Sequence, residues 1–241
     1  MESKLPILRI HRSWLTDLEK KLLIGIAGRL PASITSDHLT LLGVLGALLC
    51  GLSYWATLIA PAFLALACLG IVLNWFGDSL DGTVARLRKR ERPIYGFFID
   101  HTTDVASQLF IFLGLGLSHY MRFETACLML LSYWLAALYT FIRAIATREF
   151  QISYYGIGPT EIRLGLLLYN LGIVIFGPMQ AVTRYGTFSL MDGIAVCIFF
   201  VVTGSFFLMV WQEGRRLAEL DAPGSRPAVW TEDLAEEPEI A

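Results

Sequence analysis

The sequence predicts an all-α, polytopic membrane protein with six transmembrane helices preceded by an N-terminal interfacial amphipathic helix. Apolar residues make up 55% of the 241 residues and charged residues only 17%, a composition foreign to water-soluble and disordered chains. No Asp, Glu, Lys or Arg occurs between residues 39 and 77, a stretch long enough for two bilayer crossings at about 20 residues each. The placement of the basic residues agrees with six spans, as described below.

The first element is a predicted amphipathic helix. Leucine and isoleucine recur at intervals of three or four residues, while charged residues fill much of the remaining surface, the spacing of one apolar helix face. The apolar positions are Leu15, Leu18, Leu22, Ile26 and Leu30, and Pro31 closes the segment. This length and pattern predict a helix that lies along the membrane interface without crossing the bilayer.

Six apolar segments follow, separated by prolines or charged residues. They lie at about 36–59, from 61 to the region of Asp78 and Asp81, from 93 to about 118, and at 124–146, 164–183 and 187–213. Each is long enough to cross a bilayer. We therefore expect a cytoplasmic amphipathic segment at 1–34, a six-helix transmembrane catalytic domain at 35–215, and an acidic, disordered cytoplasmic tail at 216–241.

The basic residues predict the orientation of these spans. With the N-terminus inside, 17 of the 19 Lys and Arg lie on the cytoplasmic side, and only Arg122 and Arg184 lie outside, in agreement with the positive-inside rule. Both termini and the adjoining ends of the second and third spans are thus predicted to be cytoplasmic. The net charge of −2 offers no global basic field, which excludes nucleic acid as a partner. Short loops and compact size favour a bacterial or archaeal cell membrane.

Four aspartates occupy the adjoining ends of the second and third spans. Asp78 and Asp81 are three residues apart, and Asp100 and Asp104 are four apart, so each helix offers two carboxylates on one face. Ionisable groups at membrane depth are costly and commonly functional. We expect the short connection to turn the two faces toward each other, so that four negative charges converge and need cations to neutralise them.

The chemistry of these residues points to a hard divalent cation and a phosphate-bearing substrate. Carboxylates without His or Cys match Mg²⁺ or Mn²⁺, and Mg²⁺ usually shares its ligands between protein carboxylates and substrate phosphates. Gly82 and Gly96 lie next to the acids, where a missing side chain lets a ligand approach closely. Arg86 follows Asp81 by about one helical turn and can offer its guanidinium to a diphosphate.

These residues resemble the signature of the CDP-alcohol phosphotransferase (CDP-alcohol phosphatidyltransferase) family. All eight fixed positions are filled over 27 residues, namely Asp78, Asp81, Gly82, Ala85, Arg86, Gly96, Asp100 and Asp104. The motif also lies on the second and third of six predicted spans, so sequence and topology agree. The six-span layout extends the resemblance over about 36–215.

The resemblance implies a reaction and a set of residue roles. A CDP-linked alcohol loses CMP from its diphosphate, and an acceptor hydroxyl forms a new phosphodiester in phospholipid synthesis. Two divalent ions are implied, with Asp78, Asp81 and Asp100 as principal ligands and Asp104 as both general base and ligand. Asp78, Gly82, Ala85, Arg86 and Gly96 are implied to bind the nucleotide and diphosphate. A homodimer is implied by the resemblance alone.

The identity of donor and acceptor stays open between two branches of the family. His101 and the segment Gly158-Pro159-Thr160-Glu161 resemble the choline and ethanolamine phosphotransferase branch, which combines a soluble CDP-alcohol with diacylglycerol. In other branches CDP-diacylglycerol is the donor, and an acceptor phosphate calls for an arginine cluster. The candidate acceptor residues are therefore His101, Arg143, Arg148, Glu161 and Arg163.

A cation-coupled secondary transporter is the alternative, with the intramembrane aspartates binding the coupling ion. Two features weigh against it. The aspartates lie near helix ends, away from mid-span, and the last two spans contain no acidic pair that would indicate an inverted repeat.

Overall fold

A computed structural model describes residues 8–10, 16–147, 149–151, 158–184 and 186–220 of the chain. The described part is almost entirely helical, which confirms the all-α class, with two short pairs of strands in addition. In chain order the elements are β1 (Leu8–Ile10), α1 (Thr16–Ala27), α2 (Ser36–Ala56), α3 (Phe63–Leu87), α4 (Pro93–Gly116), α5 (Phe123–Thr147), β2 (Glu149–Gln151), α6 (Pro159–Phe176), β3 (Gln180–Thr183), β4 (Gly186–Ser189) and α7 (Leu190–Leu220).

Six long helices, α2 to α7, occur where six spans are predicted. Five of them, all except α4, are long and apolar enough to cross a membrane. Helix α4 has 24 residues, enough for a crossing, but its first half carries Asp100, Asp104 and other polar side chains that lower its hydropathy. It packs against α2 and α5 like the other members of the bundle. The protein is therefore a polytopic membrane protein whose least apolar long helix contains half of the acidic motif.

Helix α2 holds the first half of the bundle together, because it packs against both α3 and α4. Glycines make these contacts unusually close. A Cβ atom placed on Gly114 of α4 would lie 2.2 Å from the carbonyl oxygen of Gly51, and one placed on Gly77 of α3 would lie 2.4 Å from the amide nitrogen of Gly43. Small residues at such crossings let helix backbones touch within a membrane. Helices α3 and α4 are thereby fixed relative to each other through α2.

The amphipathic helix α1 lies against the end of α3 that carries the acidic motif. Leu23 and Ala27 are buried with Leu80 and Val84 of α3, whereas Leu18 is 68% exposed. One apolar side of α1 therefore packs on the bundle and another remains available to the membrane interface.

Arg88 anchors the connection between α1 and α2. Its guanidinium donates hydrogen bonds to the carbonyl oxygens of Leu30 and Pro31 at 3.0 Å each and of Ile34 at 2.5 Å. These carbonyls follow the end of a helix and have no helical partner there. At least one of the basic residues that follow α3 therefore has a structural role.

Two pairs of strands are absent from the sequence-based prediction. Segment 164–183 is predicted as one span, but α6 runs from Pro159 to Phe176, and β3 and β4 form an antiparallel hairpin within the predicted fifth and sixth spans. Gly177 has a φ of 77° and Pro178 follows, a combination that ends a helix. In addition, β1 pairs in parallel with β2.

The last helix starts and ends later than predicted. Helix α7 runs from Leu190 to Leu220, so the first residues of the predicted disordered tail are helical, and the rest of that tail lies outside the described residues. Asp192 in its first turn is 2% exposed and accepts hydrogen bonds from the backbone nitrogens of Arg122 at 2.8 Å and Ser189 at 2.6 Å. The Ser189 hydroxyl in turn accepts a 3.1 Å hydrogen bond from the backbone nitrogen of Asp192, so the two residues form a capping box at the start of α7. Through Arg122, this buried acid also fastens the hairpin to the connection between α4 and α5.

Candidate active site

The acidic motif lines an open cavity at the adjoining ends of α3 and α4. The cavity has a volume of about 240 Å³, and α2 and the connection between α3 and α4 complete its wall. Among the predicted site residues, its lining includes Asp78, Asp81, Gly82, Ala85, Arg86, Gly96 and Asp100. Seven of the eight motif positions therefore face one space, and Asp104 lies behind them.

Asp81 is the most enclosed acid of the site, with 7% of the residue exposed. Its Oδ2 accepts a hydrogen bond of 2.6 Å from the hydroxyl of Thr40, and its Oδ1 accepts one of 2.5 Å from the backbone nitrogen of Gly82. Thr40 belongs to α2, so the helix that fixes α3 and α4 also orients one acid of the motif.

Arg163 joins the acids of α3 and α4 from the first turns of α6. Its Nη2 lies 2.7 Å from Oδ2 of Asp78 and 3.9 Å from Oδ1 of Asp104. Its Nε donates a 2.9 Å hydrogen bond to the amide oxygen of Asn74, one helical turn before Asp78. The Asp104 carboxylate is also within hydrogen-bonding reach of Asp78. Two carboxylates from different helices therefore share one buried guanidinium.

The fit of a divalent cation depends on which property of the acids is considered. Carboxylate oxygens are the ligands that Mg²⁺ and Mn²⁺ prefer, so the donor chemistry fits. The arrangement of the side chains does not, because within the described residues no three His, Cys, Asp or Glu side chains are placed to hold one ion together. Arg163 instead provides the positive charge beside Asp78 and Asp104.

The small residues and the arginine of the motif shape the cavity wall. A Cβ on Gly96 would meet no atom within 4 Å, whereas one on Gly82 would lie 3.2 Å from Nη1 of Arg86. Nη2 of Arg86 donates a 3.3 Å hydrogen bond to the hydroxyl of Thr83. The guanidinium of Arg86 therefore lies over Gly82, where a side chain would crowd it.

His101 contacts the acid that precedes it. Its Nδ1 lies 3.4 Å from Oδ2 of Asp100, and its ring packs against Phe97 and Phe141 with centroid distances of 4.3 and 5.3 Å. The two aromatic rings hold the imidazole beside the acid. Two of the candidate acceptor residues, His101 and Arg163, therefore lie next to the acidic motif.

The other candidate acceptor residues have different surroundings. Nε of Arg143 lies 3.7 Å from Oε1 of Glu213 on α7. Oε2 of Glu161 accepts a 2.9 Å hydrogen bond from the backbone nitrogen of Gly158, in a capping box at the start of α6. Arg148 lies outside the described residues. Because Arg148 is outside the described residues, the predicted cluster of three arginines stays a prediction.

Three side chains that support the acids were not predicted from the sequence: Thr40, Asn74 and Glu19. Oε1 of Glu19 on α1 accepts hydrogen bonds from the indole nitrogen of Trp75 at 2.8 Å, the hydroxyl of Ser79 at 3.2 Å and the hydroxyl of Thr160 at 2.7 Å. It thus links α1 to α3 and α6. Of these three, only Asn74 could have been identified from the sequence, because it is an amide in an apolar span one turn before Asp78.

The fold and this site together define a class: a polytopic membrane protein with an acid-lined cavity at the ends of two consecutive helices. The family model described as CDP-alcohol phosphatidyltransferase matches residues 34–212, from α2 to α7. The chain belongs to the CDP-alcohol phosphatidyltransferase family. No significant match is found among curated proteins.

Family membership establishes the general activity. This is a family of membrane transferases of phospholipid synthesis, in which a CDP-alcohol is the donor and an alcohol is the acceptor. The match therefore supports the transferase hypothesis over the cation-coupled transporter.

Proposed function

We propose that this protein transfers the phospho-alcohol group of a CDP-alcohol to an acceptor hydroxyl at the cavity between α2, α3 and α4, and releases CMP. The new bond joins the acceptor oxygen to phosphorus, the bond between that phosphorus and the CMP oxygen breaks, and CMP leaves with the electron pair. The observation that carries this proposal is that seven of the eight motif residues line one cavity.

The residues have distinct proposed roles. Asp78, Asp81, Asp100 and Asp104 are the side chains that would hold two divalent ions, Mg²⁺ or Mn²⁺. Such ions, when bound, neutralise a diphosphate and stabilise the departing nucleotide. Arg86 binds a phosphate oxygen of the donor, and the open space beside Gly96 admits the nucleotide.

Asp104 is the proposed general base. Its carboxylate accepts the proton of the acceptor hydroxyl as that oxygen bonds to phosphorus. The side chain is 27% exposed and lies beside Asp78 and Arg163, so it is next to the other acids without lining the cavity. This location supports a role in contact with the acceptor more than with the nucleotide.

We propose an acceptor without a phosphate group, as in the choline and ethanolamine branch, over an acceptor such as glycerol phosphate or inositol phosphate. Recognition of an acceptor phosphate calls for unoccupied arginines that can converge on it. Arg143 instead pairs with Glu213 on α7. Arg163 lies at the acids of α3 and α4, where the donor is proposed to bind. A CDP-diacylglycerol donor with a phosphorylated acceptor is the second candidate, because Arg148 can still contribute.

We also propose an orientation and an assembly. The basic residues support cytoplasmic termini and a cytoplasmic site, in a bacterial or archaeal cell membrane. A homodimer is proposed from family resemblance only.

The test is release of CMP by the purified protein in lipid nanodiscs. CDP-choline, CDP-ethanolamine and CDP-diacylglycerol serve as donors, each with diacylglycerol, serine, glycerol phosphate or inositol phosphate as acceptor, with Mg²⁺, Mn²⁺ or EDTA. We expect divalent-dependent release with a phosphate-free acceptor, and release by the Asp104→Asn variant that is lower by about 10²- to 10⁴-fold. Activity only with a phosphorylated acceptor would contradict the proposed acceptor class, and no release with any pair would contradict the proposed function.

A further inference from the structure

The position of Arg163 distinguishes it from the other cations near the cavity. Its side chain is 12% exposed, and its guanidinium reaches three partners on two helices: Asn74, Asp78 and Asp104. A buried guanidinium of this kind replaces lost hydration by directed bonds to fixed acceptors. Two of those acceptors are carboxylates to which the proposed function assigns a divalent cation.

We propose that Arg163 is a displaceable counter-ion: its guanidinium and a divalent cation compete for the carboxylates of Asp78 and Asp104. This inference rests on the proposed function, because it requires that the acids bind such a cation. It explains why four carboxylates with suitable chemistry do not form a three-ligand group in the described residues. Oδ2 of Asp78, one of the carboxylate oxygens that would hold the cation, accepts a 2.7 Å hydrogen bond from Arg163.

The charge balance favours displacement of the Arg163 guanidinium by the cations over binding of both to the same carboxylates. Four ionised aspartates carry a formal charge of −4, which two divalent cations neutralise completely. Arg163 would then be an excess positive charge beside the ions, where burial strengthens repulsion between like charges. Without the ions, the same guanidinium reduces the repulsion between Asp78 and Asp104, which are within hydrogen-bonding reach of each other. Arg163 therefore stabilises the acids in one situation and opposes the cation in the other.

The exchange has a consequence for substrate binding. A guanidinium displaced from the carboxylates remains on the first turns of α6, close to the acids, and its strongest remaining partner is an anionic phosphate. Cation binding would thus make Arg163 available to the diphosphate of the donor. Because coupling between two ligands is reciprocal, the donor should in turn increase the affinity for the cation through this residue.

The experiment measures Mn²⁺ binding, without substrate, to the purified protein in detergent by the loss of the free-ion EPR signal. Arg163→Gln removes the charge but keeps a polar side chain, and Arg216→Gln is the matched control, since it removes an exposed arginine paired with Glu213. We expect Arg163→Gln to bind Mn²⁺ tighter than wild type by about 5- to 100-fold, the usual range of coupling between sites. The control should bind with wild-type affinity.

Thermal unfolding gives a second measurement. Without Mn²⁺, Arg163→Gln should melt below wild type, because two carboxylates lose their counter-ion, and Mn²⁺ should raise its melting temperature more than that of wild type. Arg163→Lys keeps the charge but loses the fork that reaches both Asn74 and Asp78, so its Mn²⁺ affinity should rise by a smaller factor. That variant carries the test where Arg163→Gln does not fold.

The outcomes separate this inference from the proposed function. Equal or weaker Mn²⁺ binding by the Arg163 variants, with Mn²⁺-dependent release of CMP by wild type, overturns the competition and leaves the proposed function standing. Absence of both Mn²⁺ binding and CMP release in wild type overturns both.

Discussion

Replacement of Glu19 by alanine tests whether α1 is part of the catalytic unit. One carboxylate oxygen of Glu19 accepts hydrogen bonds from Trp75, Ser79 and Thr160. In Glu19→Ala, the two hydroxyl groups can turn to other acceptors, but the Trp75 indole has a single donor. Hydrogen bonds to charged groups contribute about 1.5–3 kcal/mol each, and an orphaned buried donor costs about 1–3 kcal/mol. We therefore expect a loss of about 2–4 kcal/mol in the free energy of unfolding.

The same substitution should reduce turnover. Ser79 follows Asp78 directly, and Thr160 precedes Arg163 on α6, so Glu19 ties together the two helices that meet in the Asp78–Arg163 ion pair. Loss of that link should lower kcat by about tenfold, since small misplacements of catalytic groups are costly. Glu19→Gln keeps an oxygen acceptor, so we expect it to recover most of the activity and stability.

The assay combines unfolding in detergent with CMP release in nanodiscs. Lys20→Ala is the matched control, because Lys20 is the exposed neighbour of Glu19 on α1, and it should change stability by less than about 0.5 kcal/mol. A Glu19→Ala protein that unfolds and turns over like this control would refute the argument. A loss of stability with unchanged kcat would limit Glu19 to helix packing.

Three further substitutions test the site and the fold. Asp104→Asn should retain donor binding but lower CMP release by about 10²- to 10⁴-fold, the usual contribution of a general base; near-normal release would assign the base elsewhere. Gly114→Leu should destabilise the protein by about 3 kcal/mol, because the new Cβ collides with the Gly51 carbonyl. Gly204→Leu is the control: its Cβ meets no atom within 4 Å, so this variant should melt like wild type. Arg88→Ala should cost about 2 kcal/mol by releasing the carbonyls after α1, and an unchanged melting temperature would contradict that anchoring role.

The fold class followed from composition and apolar runs, but the hairpin between α6 and α7 did not. Hydropathy measures how well a segment tolerates lipid, and segment 164–183 contains no charge. It does not measure whether the backbone can continue as a helix. Gly177 and Pro178 indicate that the helix ends there, but the prediction of a single span followed the length of the apolar run. The two predicted spans therefore absorbed residues that form β3 and β4.

The acids of the site were predictable, and most of their partners were not. Spacings of three and four residues within one helix place side chains on one face, so local sequence was sufficient for Asp78 with Asp81 and for Asp100 with Asp104. Thr40 is 41 residues from Asp81, and Arg163 is 85 residues from Asp78. Such pairs depend on how α2 and α6 pack against α3, which no periodicity within a helix encodes.

The unequal surroundings of the four acids bear on how the two substrates meet. Asp78, Asp81 and Asp100 line the cavity beside Gly82 and Gly96, whereas Asp104 does not. An in-line displacement at phosphorus requires the attacking oxygen and the leaving oxygen on opposite sides. With the nucleotide in the cavity, as we propose, the acceptor is expected to approach from the side of Asp104, whose carboxylate lies beside Arg163 of α6. The proposed base then lies on the acceptor's side of the reacting phosphorus.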